Sequence, residues 1–166
     1  MDPAYDAELW SDFAVALAGA AAALAGLLFV ALSINVRVIV ASRDLIWRAV
    51  TALTSMTTPL VISVLLLVPG QSDTVLGVAL LAVGVLVGTL IAVLNSPFHL
   101  PPQRTLAMWA GGTAIPGALI TIPTILAGLG VMLGSLGGLF WLPVAALAAL
   151  LGGLLQAWVL LIEILR

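Results

Sequence analysis

Five apolar runs follow one another along the chain, separated by short polar interruptions. The hydrocarbon core of a bilayer is about 30 Å thick, so a helix that crosses it needs about 20 apolar residues. Runs of that length lie at about 13–36, 46–68, 75–94, 105–133 and 139–162. The interruptions carry turn chemistry: Pro69-Gly70-Gln71-Ser72-Asp73, Asn95-Ser96-Pro97, Pro101-Pro102 and Gly134-Ser135-Leu136-Gly137-Gly138. None could separate two domains. The pattern predicts an all-α integral membrane helical bundle of five transmembrane helices, with residues 1–166 forming a single transmembrane domain.

Composition removes the alternatives. Of 166 residues, 63% are hydrophobic and only 7% charged, against about a quarter charged in a soluble domain. The mean hydropathy is +1.31. Five Arg, no Lys and seven acids give a net charge of −2, which leaves no basic field for nucleic acid. Cys is absent and His occurs once, which excludes disulfides, iron–sulfur clusters and thiolate zinc sites. Neither a metal site nor a cofactor is expected.

Enzymatic motifs fail in the same way. Ser135 sits in a glycine-rich turn, but a nucleophile turn needs glycine at the position of Leu133. The single His99 falls at the opposite membrane face from Ser135, and without Lys there is no phosphate-cradling loop. The chain reads as a non-enzyme.

Arginine placement sets the orientation. Arg37, Arg43 and Arg48 flank the first connection, Arg104 lies in the third, and Arg166 is the last residue. With five spans all five fall on one side, the cytoplasm. Asp2, Asp6, Glu8, Asp12 and Asp73 fall on the other. The N-terminus is therefore expected outside and the C-terminus inside. Trp10 and Trp141 mark the outer interface; Trp47, Trp109 and Trp158 mark the inner one. The acidic N-terminus lacks the basic region of a signal peptide, so the first span is expected to stay as an anchor. Arg without Lys, beside heavy Ala, Gly and Leu use, suggests a GC-rich bacterial genome and a bacterial plasma membrane.

Helices in lipid gain little from hydrophobicity and associate through close contact at small residues. Spacing four provides Ala18, Ala22 and Gly26 on the first span; Gly77, Gly84 and Gly88 on the third; Gly130 and Gly134 on the fourth; and Ala145, Ala149 and Gly153 on the fifth. Second small faces (Ala14 with Ala21, Ala148 with Gly152) leave surface for self-association, and a homo-oligomer is expected.

No ionisable residue lies near the centre of a span, which argues against a proton pump or a charge-relay transporter. The polar groups are hydroxyls and amides. On the second span Arg48, Thr51, Ser55 and Thr58 share one helical face; Thr54 and Thr57 broaden it and Pro59 follows. On the fourth, Gly111-Gly112 and Thr113 precede Pro116, and Pro123 follows. As a straight helix that span would measure about 43 Å, too long for a bilayer, so it must tilt, kink or break. Ser55 and Thr113 both lie roughly 12 to 14 Å from the cytoplasmic end. Two proline-interrupted helices at matching depth point to an ion or substrate site. Thr51, Ser55, Thr58, Pro59, Thr113 and Pro116 are the candidates for it. The competing reading is that the hydroxyls bond back to their own helix. A cytoplasmic mouth is read from Ser33, Asn35, Arg37, Arg48, Asn95 and Glu163, with Gln156 and His99 nearby and Glu163 within reach of Arg37 or Arg48.

The stretch Ala18-Gly19-Ala20 leading into Leu24-Ala25-Gly26-Leu27-Leu28-Phe29-Val30-Ala31-Leu32-Ser33-Ile34-Asn35, with Val68-Pro69-Gly70-Gln71 after the second span, resembles small multi-pass membrane proteins of actinobacteria labelled "modulator of FtsH protease". That resemblance implies a regulatory role and another membrane protein as partner. Three functions are thus carried forward: a homo-oligomeric ion channel or pore lined by the second helix, a regulatory or accessory subunit, and a small carrier using the broken fourth helix.

Overall fold

A computed structural model of the protein describes residues 3–95 and 110–164. Among these residues all regular structure is helical. A 3-10 turn, Ala7–Trp10, leads into α1, Ser11–Ile34; a short α2, Val36–Val40, follows; then α3, Arg43–Leu66, and α4, Asp73–Leu94. A π-helical turn, Ala110–Ala114, opens α5, Ile115–Leu133. A second 3-10 turn, Gly138–Trp141, precedes α6, Leu142–Ile164. Five of these helices are long and apolar enough to cross a membrane, as the runs predict.

Local chemistry explains the boundaries. Asp6 accepts the Glu8 N–H (3.1 Å) before the first turn, and Ser72 Oγ accepts the Val75 N–H (3.4 Å) at the start of α4. At the end of α1, Asn35 Nδ2 donates to Ala31 O (2.9 Å). Gly134 ends α5 in the left-handed conformation, φ +60°. In the fourth span a π-helical turn, Ala110–Ala114, leads directly into α5 just before Pro116, whereas Pro123 stays inside α5; positions 105–109 lie outside the described residues. The second span differs: α3 runs unbroken through Pro59.

The helices alternate in direction. Arg37, Arg43 and Arg48 gather with Asp44 at one end, here the basic end; Asp6, Glu8, Asp12 and Asp73 gather at the other. Arg104, Arg166 and His99 lie outside the described residues. Trp10 and Trp141 sit at the acidic end, Trp47 and Trp158 toward the basic end.

α3 is the hub. α1 and α6 pack on it from two sides; α4 packs on α5, and α5 on α6. Glycine sets the closest approach. A Cβ on Gly128 would stand 2.7 Å from Gly77 O, and one on Gly77 would stand 2.7 Å from Gly128 O, so the two backbones touch. Further along, Gly84 meets Ile125 and Gly88 meets Thr121. The third-span glycines therefore do what their spacing predicts. On α6, Ala145, Ala149 and Gly153 are buried, with Gly153 against Met56.

On α1 the small faces exchange roles. Ala14, Leu17, Ala21 and Leu28 are buried, while Ala22 and Gly26 are exposed and nothing lies within 4 Å of Gly19 or Gly26. Ala22 and Gly26 of the Ala18–Ala22–Gly26 stripe therefore do not pack within the bundle, while Ala18 is half-buried. Both faces are smooth, and Leu17 and Leu28 add apolar volume only to the first. On the fourth span Gly117 and Gly128 meet α4, Gly130 packs against Ser135 and Gly138 of the following connection, and Gly134 has nothing within 4 Å.

At the acidic end the N-terminal segment is clipped to the α5–α6 connection. The Leu139 N–H donates to Ala4 O (2.8 Å) and Trp10 Nε1 to Pro3 O (2.6 Å). The Trp10 ring meets Phe13 and Phe140 edge-on, with centroids 5.4 Å apart in each case. Gly138, at φ +48°, leaves no room for a side chain: a Cβ would strike Ala4 O and the Tyr5 ring.

Candidate functional site

A helix that carries hydroxyls through lipid must satisfy them internally, and α3 does so along its own backbone. Thr51 Oγ1 donates to Trp47 O (2.8 Å), Ser55 Oγ to Thr51 O (2.9 Å), Thr58 Oγ1 to Thr54 O (2.7 Å) and Ser63 Oγ to Pro59 O (2.8 Å). Thr57 Oγ1 bonds back in the same way, to Leu53 O (2.9 Å). Thr51, Ser55, Thr58, Pro59 and Ser63 are all buried inside the bundle. The back-bonding reading therefore holds for Thr51, Ser55, Thr57, Thr58 and Ser63. The burial of Thr51, Ser55, Thr58 and Ser63 within one subunit also takes them off any axis between copies, because an axis of that kind is lined by a subunit's outer surface.

One of these hydroxyls reaches another helix. Asn95 Nδ2, at the end of α4, donates to Thr51 Oγ1 (3.1 Å) and to Ile91 O (3.0 Å). This joins a residue placed with the pore candidates to one placed with the mouth. Pro116 lies at the start of α5, packed against Gly152 of α6 (3.4 Å for a Cβ on Gly152). Thr113 lies in the π turn just before it; its side chain is outside the described residues.

The other mouth candidates do not converge. Ser33 Oγ donates to Phe29 O (2.8 Å) and Asn35 to Ala31 O, each on α1 itself. Arg37 is exposed. Arg48 Nε donates to Asp44 Oδ2 at 3.0 Å, an i,i+4 pair with side chains 20% and 54% exposed. Such an exposed pair adds little to stability. The Glu163 side chain, and with it the expected pairing to Arg37 or Arg48, lies outside the described residues.

Gln156 belongs in this layer, although no functional role was read for it from the sequence beyond its nearness to the mouth. Its Oε1 is buried with no hydrogen-bond partner among the described residues. On α6 it follows Gly152 by one turn and Gly153 by three residues. Gly152 packs on α5 at Pro116 and Gly153 on α3 at Met56. Since α6 runs opposite to both, one turn further brings Gln156 level with Gly112 of the π turn and with the Thr51–Ala52 turn of α3. Separately, α4 and α5 diverge below Gly88 and leave a crevice of about 240 Å³ lined by Ile91, Ala92, Asn95, Gly117 and Thr121, among others.

The described residues contain no group of three or more His, Cys, Asp or Glu able to hold a metal. No family model, no curated protein and no solved structure matches the chain.

Proposed function

We propose that this multi-pass membrane protein is an accessory or regulatory subunit, one whose task is to associate with other transmembrane helices through α1. The observation that carries this reading is the one-sidedness of α1: 17% of its apolar window is buried, and Gly19 and Gly26 face outward with nothing within 4 Å. Glycine inside a helix costs about 1 kcal/mol relative to alanine. In lipid that cost is offset only where a partner backbone comes close. The resemblance of Ala18–Asn35 to the actinobacterial modulators supports the same role, in a bacterial plasma membrane. The first partner to test is a second copy.

The chain has no cysteine, so single cysteines report contacts cleanly. Gly26→Cys and Ala22→Cys, oxidised in native membranes, are expected to give a covalent adduct, and Leu151→Cys on the exposed face of α6 is not. An adduct of twice the chain mass identifies a homo-oligomer; another mass identifies a different membrane protein. Equal yields at positions 26 and 151, or none at 22 and 26, refute association through α1.

A second reading, passage of a small ion, is favoured by the buried hydroxyls of α3 and the hydrogen bond from Asn95 to Thr51. That passage would run inside one subunit. α1, the helix offered for association, carries no polar side chain between Asp12 and Ser33, so an axis built on it would be dry.

A further inference from the structure

The crevice between α4 and α5 is a slot closed on two sides. Toward the middle of the bundle it ends where Gly88 meets Thr121: a Cβ on Gly88 would stand 3.2 Å from Thr121 Cγ2. Its back is shut where Gly117 meets Ile91, both of them buried. It opens outward beside Ala92, which is exposed, and Ala118, which is half-buried. Its far end is Asn95, the cap residue of α4. α4 has 22 residues, so at 1.5 Å per residue it is about as long as the hydrocarbon core is thick. Asn95 therefore stands at the edge of the core, at the basic end, and Gly88 about 10 Å inside it.

The walls decide what fills the slot. Its lining has two polar side chains, and both are engaged within the protein. Asn95 Nδ2 donates to Thr51 Oγ1 and Ile91 O, and Thr121 Oγ1 donates to Gly117 O (2.9 Å). Filling about 240 Å³ with water would take about eight molecules, each needing two to four polar partners. Glycine, alanine and isoleucine cannot supply them. Apolar cavities of about 150 Å³ stay dry and take up hydrocarbon guests instead. A further helix, about 10–12 Å across, is too wide to enter a slot whose walls already touch at Ile91 and Gly117. The slot is also continuous with the surface that these helices turn to lipid. Val85 lies three residues from Gly88, and Ile115 and Ile122 lie three and four from Ala118; all three are exposed.

We infer that the slot binds one acyl chain of a phospholipid from the leaflet at the basic end. The chain enters at the level of Asn95 and lies between α4 and α5 as far as Gly88. A chain is narrow and apolar, and the bilayer presents it at this depth. The inference does not rest on association through α1.

The test is photo-crosslinking of the purified full-length chain, stripped of lipid in a steroid detergent that has no flexible chain to compete. The probe is phosphatidylglycerol with a diazirine in one acyl chain, added equimolar to protein. Peptide mapping is expected to place the adducts within 88–95 and 114–121, in excess over the exposed face of α6 at Leu147, Leu151 and Leu155. Unlabelled phosphatidylglycerol should displace that excess. Ala118→Leu, which puts a side chain into the slot, should abolish it and leave the α6 background unchanged. Adducts spread evenly over α4, α5 and α6 would mean lipid that only surrounds the bundle, and overturn the inference. An excess that Ala118→Leu leaves intact overturns it as well. Should Ala118→Leu fail to fold, competition on the wild-type chain decides: adducts that unlabelled lipid does not displace refute the site.

Discussion

Gly128→Ala tests whether α4 and α5 approach as closely as the bundle requires. The added methyl would stand 2.7 Å from Gly77 O, 2.9 Å from Leu81 N and 3.0 Å from Leu81 Cγ, whereas ordinary contact begins at 3.4 Å. About 0.7 Å must therefore be found, and two of the three obstacles are backbone atoms that no rotamer change can move. If the helices separate by that much, each atom pair across the interface loses a quarter to a half of its dispersion energy. Overpacking of this kind costs about 1–3 kcal/mol, and the better helix propensity of alanine returns about 1 kcal/mol. The net is a loss of up to about 2 kcal/mol, or up to roughly 8 °C in the unfolding midpoint for a chain of this size.

The control is built into the same molecule. Gly26→Ala adds the identical methyl where nothing lies within 4 Å, so only the propensity gain remains and the midpoint should hold or rise. Both variants are to be melted at high detergent dilution, where a contact between copies through α1 does not enter. If Gly128→Ala unfolds at or above the wild-type temperature while Gly26→Ala does the same, the glycine-mediated packing of α4 on α5 is wrong.

Three further outcomes are expected. Gly138→Ala should cost several degrees and release the N-terminal segment to protease, because the position combines φ +48° with contact to Ala4 O and the Tyr5 ring; an unchanged cleavage pattern speaks against the clip. A double-mutant cycle of Thr51→Val and Asn95→Ala should give a coupling of about 0.6 kcal/mol, typical of hydrogen bonds between membrane helices; additivity within error would remove the Thr51–Asn95 bond. Ser63→Ala should change stability by less than about 0.5 kcal/mol, since its hydroxyl bonds only to Pro59 O one turn back; a loss above about 1.5 kcal/mol would mean a partner on another helix.

Much of this architecture is legible in the chain itself. Five apolar runs of bilayer length became five helices because, in lipid, a backbone has few other ways to satisfy its own hydrogen bonds. The π turn before Pro116 follows from the missing N–H. What the sequence left open is which side of a smooth helix faces inward. On α1 Ala14/Ala21 and Ala18/Ala22/Gly26 are equally small, and only the neighbours Leu17 and Leu28 distinguish them once α3 is in place. The Thr51–Asn95 bond spans 44 residues and depends on how far α4 descends beside α3, which no local pattern encodes. Gln156 had a readable signal: it lies one turn beyond Gly152 and two turns beyond Ala149, and so continues the small stripe that packs inward. An amide there is a different marker from the six-hydroxyl run of α3: a hydroxyl can satisfy itself on its own helix, whereas Gln156 Oε1 is buried with no partner among the described residues.

The distribution of polar groups separates two properties that a homo-oligomeric pore would join. Of the α3 hydroxyls from Thr51 to Ser63, all but Thr54 bond back onto their own helix. The outward faces of α1 and α6 are, by contrast, Val15, Leu27, Phe29 and Val30 on one and Val144, Leu147, Leu151 and Leu155 on the other. Copies joined through such faces are held by dispersion alone, and the seam between them offers an ion nothing to replace its water. Association should therefore respond to Gly19 and Gly26, where nothing lies within 4 Å, and not to the hydroxyls buried inside α3. A Gly26→Ile variant that falls apart into monomers but keeps the wild-type unfolding midpoint at high detergent dilution would have the behaviour this geometry requires. A variant that lost its fold together with its association would mean that the outward face of α1 is needed inside the single subunit, and that copies do not meet through it.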